Sequence, residues 1–130
     1  MQPSTVPDLL KAISDSKSLD MFCSIAKNSV ESEVLKQTKG LTNKQYYSRM
    51  RQLLEAGVVQ RNKGRFSLTS LGSIVYYAQV IIESGVNNYW KLKALDSIQS
   101  SGEIAEYERL KLVKTILNDN MMENILVKYA

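Results

Sequence analysis

Lys44, Tyr47, Ser48 and Arg51 recur at intervals of three and four residues, the spacing that lines side chains up on one face of a helix. The chemistry of that set is recognition of a polyanion. An arginine pairs with guanine O6 and N7, a serine hydroxyl bonds to a base or a phosphate, and a tyrosine reaches a phosphate with its hydroxyl or a thymine methyl with its ring. Thr42 and Asn43 sit where that helix would begin, beside free backbone amides that favour a phosphate. A second set, Arg61, Lys63 and Arg65, surrounds Gly64, so that three cations crowd a turn slim enough to enter a minor groove or follow a phosphate backbone. Each position also fits a plainer role: exposed cations are common, charges protect edge strands from pairing, and Tyr47 fits as a boundary aromatic packed on the preceding helix.

The distribution of charge separates these sets from the rest of the chain. Overall the formal net charge is +4, from 17 cations and 13 carboxylates. Between residues 36 and 65 lie Lys36, Lys39, Lys44, Arg49, Arg51, Arg61, Lys63 and Arg65 against Glu55 alone, a local excess of seven positive charges; the flanking stretches are slightly acidic. Cations clustered within an otherwise balanced domain are the footprint of a polyanion-binding face.

The elements that must position these residues are read from periodicity and capping. Pro7, Asp8, Leu9, Leu10 and Ile13 predict a short first helix; Ser16-Lys17-Ser18 then supplies a break with a capping serine, and a second helix from Leu19 to Ala26 buries Leu19, Phe22, Cys23, Ile25 and Ala26 and ends at Asn28-Ser29. A short helix capped by Ser32 is expected over 33–38, followed by a tight connection at Lys39-Gly40-Leu41-Thr42. The next helix, from Asn43 to about Ala56, carries the cationic stripe outward and turns Tyr46, Met50, Leu53 and Leu54 inward. Val58-Arg61 and Arg65-Thr69 read as two strands of a hairpin turning at Asn62-Lys63-Gly64, the only convincing β structure. Ser70 caps an apolar helix closed by Ser84-Gly85, and helices are expected from Asn87 to Ile98 and from Glu103 onward, the last interrupted at Asn118-Asp119-Asn120. The fold class is mainly α with a small two-stranded β-hairpin, divided into 1–84 and a C-terminal helical segment, 85–130.

Two short helices joined by a glycine-containing turn, then a hairpin with a basic tip, is the order of a winged helix-turn-helix followed here by C-terminal helices. The stretch from Val34 through Gly40-Leu41-Thr42-Asn43-Lys44-Gln45-Tyr46-Tyr47-Ser48-Arg49-Met50-Arg51 to Val59 resembles the helices and first wing strand of MarR- and ArsR-like transcription regulators. Gln60-Arg61-Asn62-Lys63-Gly64-Arg65-Phe66-Ser67-Leu68-Thr69-Ser70-Leu71-Gly72 is similar to their wing and its exit helix, and Leu41 to Met50 resembles a group of small archaeal one-domain regulators. The resemblance spans Ser18 to Gly72. It implies a sequence-specific, double-stranded DNA-binding regulator with the third helix in the major groove and the wing on the minor groove or backbone. It also implies a homodimer that sets two recognition helices on a two-fold site. Ile104, Tyr107, Leu110, Val113, Leu117 and Met121, a broad apolar stripe on the last helix, are the candidate dimerisation residues; the same stripe also fits a helix folded back over the apolar helix from Ile74 to Ile82.

Other functions find less in the residues. With no histidine and one cysteine, the chain lacks a Ser-His-Asp triad, a Cys-His pair and any histidine metal ligand, and Glu103, Glu106 and Glu108 sit on a solvated helix start. No enzyme, metal site or cofactor is expected. Cys23, among Met21, Phe22 and Ile25, reads as a small buried hydrophobe, with redox sensing as the alternative. The N-terminus does not read as a secretory signal, the apolar run Ile74 to Ile82 is shorter than a bilayer span, and a cytoplasmic protein without membrane association is expected. The competing class is a winged-helix protein-interaction module of a transcription or processing complex, which would carry a neutral or apolar third helix. The paired tyrosines are too small a platform to favour single-stranded RNA.

Overall fold

A computed structural model describes residues 4–28, 30–31, 40–102 and 105–129. It divides into two compact units, Met1–Tyr77 and Ala78–Ala130, so that the boundary falls within a continuous helix. The helix predicted over 33–38, with its capping Ser32, lies outside the described residues.

The first unit opens with helix α1 (Val6–Ala12), capped by Thr5, and α2 (Ser16–Lys27). Helix α2 takes in the expected Ser16-Lys17-Ser18 break, and its cap is Asp15 and neither serine, because the Asp15 carboxylate accepts both the Ser18 backbone N–H at 2.9 Å and the Ser18 hydroxyl at 2.8 Å. That pairing also satisfies Ser18, which is fully buried. Met21, Phe22 and Ile25 turn inward as their spacing requires, whereas Cys23 is only half-buried. Helix α3 (Asn43–Glu55) starts at a reciprocal capping box: the Gln45 N–H donates to the Thr42 hydroxyl at 3.2 Å, and the Thr42 N–H donates to Gln45 Oε1 at 3.1 Å.

The hairpin consists of β2 (Val59–Asn62) and β3 (Arg65–Leu68), paired antiparallel with Arg61 opposite Phe66 and Asn62 opposite Arg65. The two residues between them, Lys63 and Gly64, both have positive φ, 53° and 79°. This is the backbone of a type I′ turn, whose twist matches that of the strands. A third strand, β1 (Val30–Glu31), pairs with β3 and completes a sheet of order β1-β3-β2, an addition to the two expected strands. Two residues are too short to show alternation, which is why periodicity does not reveal it.

Helix α4 (Ser70–Asn87) is capped by Thr69, whose hydroxyl accepts the Gly72 N–H at 2.9 Å, rather than by Ser70. The Thr69 hydroxyl in turn donates to the Gly57 carbonyl, tying the start of α4 to the end of α3. Gly72 fits here because it has no Cβ: one placed there would collide with the Val58 carbonyl. The core around these elements joins Met21, Phe22, Ile25, Tyr46, Met50, Leu53, Val58 and Phe66. Leu54, expected inside, is 38% exposed. Tyr46, Met50 and Leu53 already fill the inward arc of α3, and Leu54 falls beyond its edge.

The second unit contains the end of α4, then α5 (Tyr89–Ser100), α6 (Glu106–Leu117) and α7 (Asn120–Tyr129). Helix α4 does not stop at Ser84-Gly85 but continues to Asn87. One glycine costs only ~1 kcal/mol in a helix, less than a turn of backbone hydrogen bonds returns. The predicted interruption is present: Asn118 adopts the left-handed conformation at the end of α6, and the Asp119 carboxylate accepts the Met122 N–H at 2.9 Å. Leu95, Val113, Leu117 and Met122 form the core of this unit.

Candidate nucleic-acid interface

Burial of Tyr46, Met50 and Leu53 fixes the rotation of α3 about its axis, and the opposite face follows from helical geometry. Thr42, Asn43, Lys44, Tyr47, Ser48 and Arg51 are all exposed. Tyr47 is 59% exposed, and its ring meets that of buried Tyr46 edge-on, with centroids 5.1 Å apart. The inner ring thus supports the outer one while leaving the Tyr47 face and hydroxyl accessible. Thr42 spends its hydroxyl as an acceptor in the capping box, so what it offers a phosphate is the helix end itself.

The cations of this helix differ in what holds them. Arg49 turns toward α2, where its Nε donates to Asp15 Oδ1 at 3.2 Å and a terminal nitrogen donates to the Gln45 carbonyl at 3.4 Å. Its partner Asp15 has its pKa lowered to about 2, mainly by the Ser18 backbone N–H and further by the Ser18 hydroxyl and Arg49, against a smaller opposing effect of burial. Arg51 instead lies along the outer face, its Nε 3.1 Å from Glu55 one turn on, with both side chains well exposed. Such a pair is weak and exchangeable, so Arg51 is available to another anion.

On the hairpin, Arg61, Lys63 and Arg65 are exposed around the Lys63-Gly64 turn. The Arg61 guanidinium stands 5.7 Å from the centre of the Phe66 ring, a cation–π contact that steadies one hairpin cation against a buried aromatic.

Between α3 and the hairpin lies an open groove of about 750 Å³. Tyr46, Tyr47, Met50 and Leu54 line it from the helix, Phe66 from the sheet, and Arg51, Arg61, Lys63 and Arg65 contribute cations. The structure therefore brings Tyr47 and Arg51 of the helix set together with the three hairpin cations around a single concavity, whereas Thr42, Asn43, Lys44 and Ser48 do not line it. Sequence reasoning missed its apolar floor, although the spacing of Tyr47, Arg51 and Leu54 by four and three residues places Leu54 on the same stripe.

The predicted dimerisation stripe is not brought together. Ile104 lies outside the described residues. Val113 and Leu117 are buried in the core of their own unit, and Leu110 is half-buried, while Tyr107 and Met121 are exposed. A seam using Val113 and Leu117 would have to open that core, because a stripe this broad covers both the inward and the outward arcs of α6. Among the described residues no cluster of acidic or cysteine side chains suits a metal ion, and no helix is long and apolar enough to cross a membrane.

No protein-family model matches the chain, and no characterised protein matches it in sequence. Among solved structures it is similar to the activation domain of the phage T4 transcription factor MotA, with a TM-score of 0.52 and 18% identity over 65% of this chain and 94% of that one. At that identity the likeness is one of fold.

Proposed function

We propose that this protein is a cytoplasmic, sequence-specific regulator of transcription that binds double-stranded DNA and carries no catalytic activity. The reading rests above all on the convergence of Arg51 with Arg61, Lys63 and Arg65 around one open groove, with Lys44, Tyr47 and Ser48 on the same helix face. As a winged helix-turn-helix of the MarR/ArsR-like kind, α3 enters the major groove and places Arg51 and Ser48 at base edges, with Tyr47 on a phosphate or a thymine methyl. Lys63 at the hairpin tip, flanked by Arg61 and Arg65, follows the adjacent minor groove or backbone. Fold similarity to a domain of a phage transcription factor agrees with a role in transcription.

Fluorescence anisotropy on random duplex DNA tests this. Affinity should fall steeply between low and physiological salt, since each phosphate contact releases condensed counterions. Negligible binding at every salt concentration would overturn the proposal. It would leave the second reading, a protein-interaction module, which is favoured by the apolar floor of the groove and by the neighbour being an activation domain.

A further inference from the structure

The groove between α3 and the hairpin joins an aromatic floor to a rim of one charge sign. Arg51, Arg61, Lys63 and Arg65 line it and no carboxylate does; Glu55, the partner of Arg51, lines a different cleft. Tyr47 presents an exposed ring braced edge-on by buried Tyr46, and half-open Leu54 extends the apolar surface along the helix. Gly64 at the hairpin turn adds no side chain, which leaves the mouth beside the cations open. At about 750 Å³ the space falls within the ~300–1,000 Å³ of small-molecule sites, which likewise combine an apolar lining with a few convergent polar groups.

We propose that this groove binds a free nucleoside polyphosphate, its base stacked on Tyr47 beside Leu54 and its phosphates held by Arg51 and the hairpin cations. An aromatic ring face accepts any base, and arginine forks and a lysine point charge suit phosphate oxygens. Charge selects the class of ligand. A simple carboxylate offers one charge to four cations, whereas a chain of phosphates offers several in a compact space and carries a flat base for the aromatic floor. Because no carboxylate lines the groove, nothing there holds a magnesium ion, and the cations of the protein take its place on the phosphates. The groove is also the one assigned to DNA, so a bound nucleotide and a duplex exclude each other. That exclusion rests on the DNA-binding proposal; the nucleotide site does not.

Titration calorimetry of the full chain with ATP in EDTA should show a single site per chain that saturates below about 1 mM. Inorganic triphosphate should bind roughly five- to 100-fold more weakly, by the worth of one base stacked on an aromatic ring, and adenosine more weakly still. Added magnesium should weaken ATP binding. Tyr47→Ala should lose the advantage of ATP over triphosphate, Lys63→Gln should weaken both ligands, and Tyr107→Ala, on α6, should match the wild type, with circular dichroism confirming that each variant is folded. No ATP binding at about 1 mM, equal affinity for ATP and triphosphate, or an unchanged preference in Tyr47→Ala would overturn the nucleotide site. At matched ionic strength ATP should then release a labelled duplex in proportion to its occupancy. A duplex retained by ATP-saturated protein would overturn the shared groove. A chain that binds ATP through Tyr47 and no duplex at any salt would sink the DNA-binding proposal and support the nucleotide site.

Discussion

Arg49 on α3 donates from Nε to Asp15, the residue that caps α2, at 3.2 Å. The contact is made by a residue from the cationic run, which serves here to join two helices. It carries a pH dependence. The Asp15 carboxyl titrates at about 2 in the fold, below its ordinary value, because the Ser18 N–H, the Ser18 hydroxyl and Arg49 all favour the ionised form. A depressed carboxylate pKa stabilises the fold fully above the unfolded value near 4, and that contribution disappears as pH falls toward 2. Melting temperature should therefore drop between about pH 4 and 2 more steeply in the wild type than in Asp15→Ala. At neutral pH that variant should lose about 1 kcal/mol, the usual worth of an N-cap. Parallel pH curves for the two proteins would remove the role assigned to Asp15.

Arg51 and Glu55 form an exposed pair, with side chains 80% and 66% accessible. Arg51→Ala should change stability by less than about 0.5 kcal/mol. Its effect on DNA should be larger and specific, costing roughly 1–3 kcal/mol on the preferred site through loss of a bidentate base contact. Selection from a random duplex pool decides between the two: an identical motif for wild type and variant withdraws Arg51 from base reading.

Lys63 separates charge from folding because it occupies the left-handed region at φ 53°. Asparagine tolerates that conformation better than lysine. Lys63→Asn should therefore retain or slightly raise the melting temperature while weakening all duplexes alike and lowering the salt slope by about one. A change of sequence preference would place Lys63 at a base rather than on the backbone.

Gly72 leaves no room for a side chain, since a Cβ would meet the Val58 carbonyl just before β2. A backbone atom cannot rotate away as a flexible side chain does. Gly72→Ala should destabilise by about 1–3 kcal/mol, despite the better helix propensity of alanine, and urea midpoints measure it. An unchanged or raised midpoint would mean that the contact of Gly72 with Val58 is looser than its packing indicates.

Local patterns were enough to place most helices and the hairpin. Three- and four-residue spacing set the inward face of α3, because helical geometry fixes the opposite face once Tyr46, Met50 and Leu53 are buried. The Lys63-Gly64 turn and the αL stop at Asn118 were likewise legible, since turn chemistry acts within a few residues. Which residue caps a helix was less so: Asp15 does what a serine of Ser16-Lys17-Ser18 was expected to do and Thr69 what Ser70 was, and shifts of a residue or a few do not alter the periodic pattern.

What the chain could not reveal by itself depends on contacts between distant segments. Spacing leaves Arg49 off the outward stripe that holds Arg51, but only the fold shows that Arg49 reaches Asp15 on α2 while Arg51 lies along its own helix. Strand β1 exists only because β3 offers it an edge. The groove between α3 and the hairpin arises where Leu54 and Phe66, twelve residues apart, face one space. The apolar stripe on α6 reads equally well as core or as seam, and the apolar run from Ile74 to Ile82 on α4 reads as core. Only packing distinguishes them, since burial is a property of what lies opposite a side chain: Val113 and Leu117 have neighbours that cover them, whereas Ile82, Val86 and Trp90 remain open.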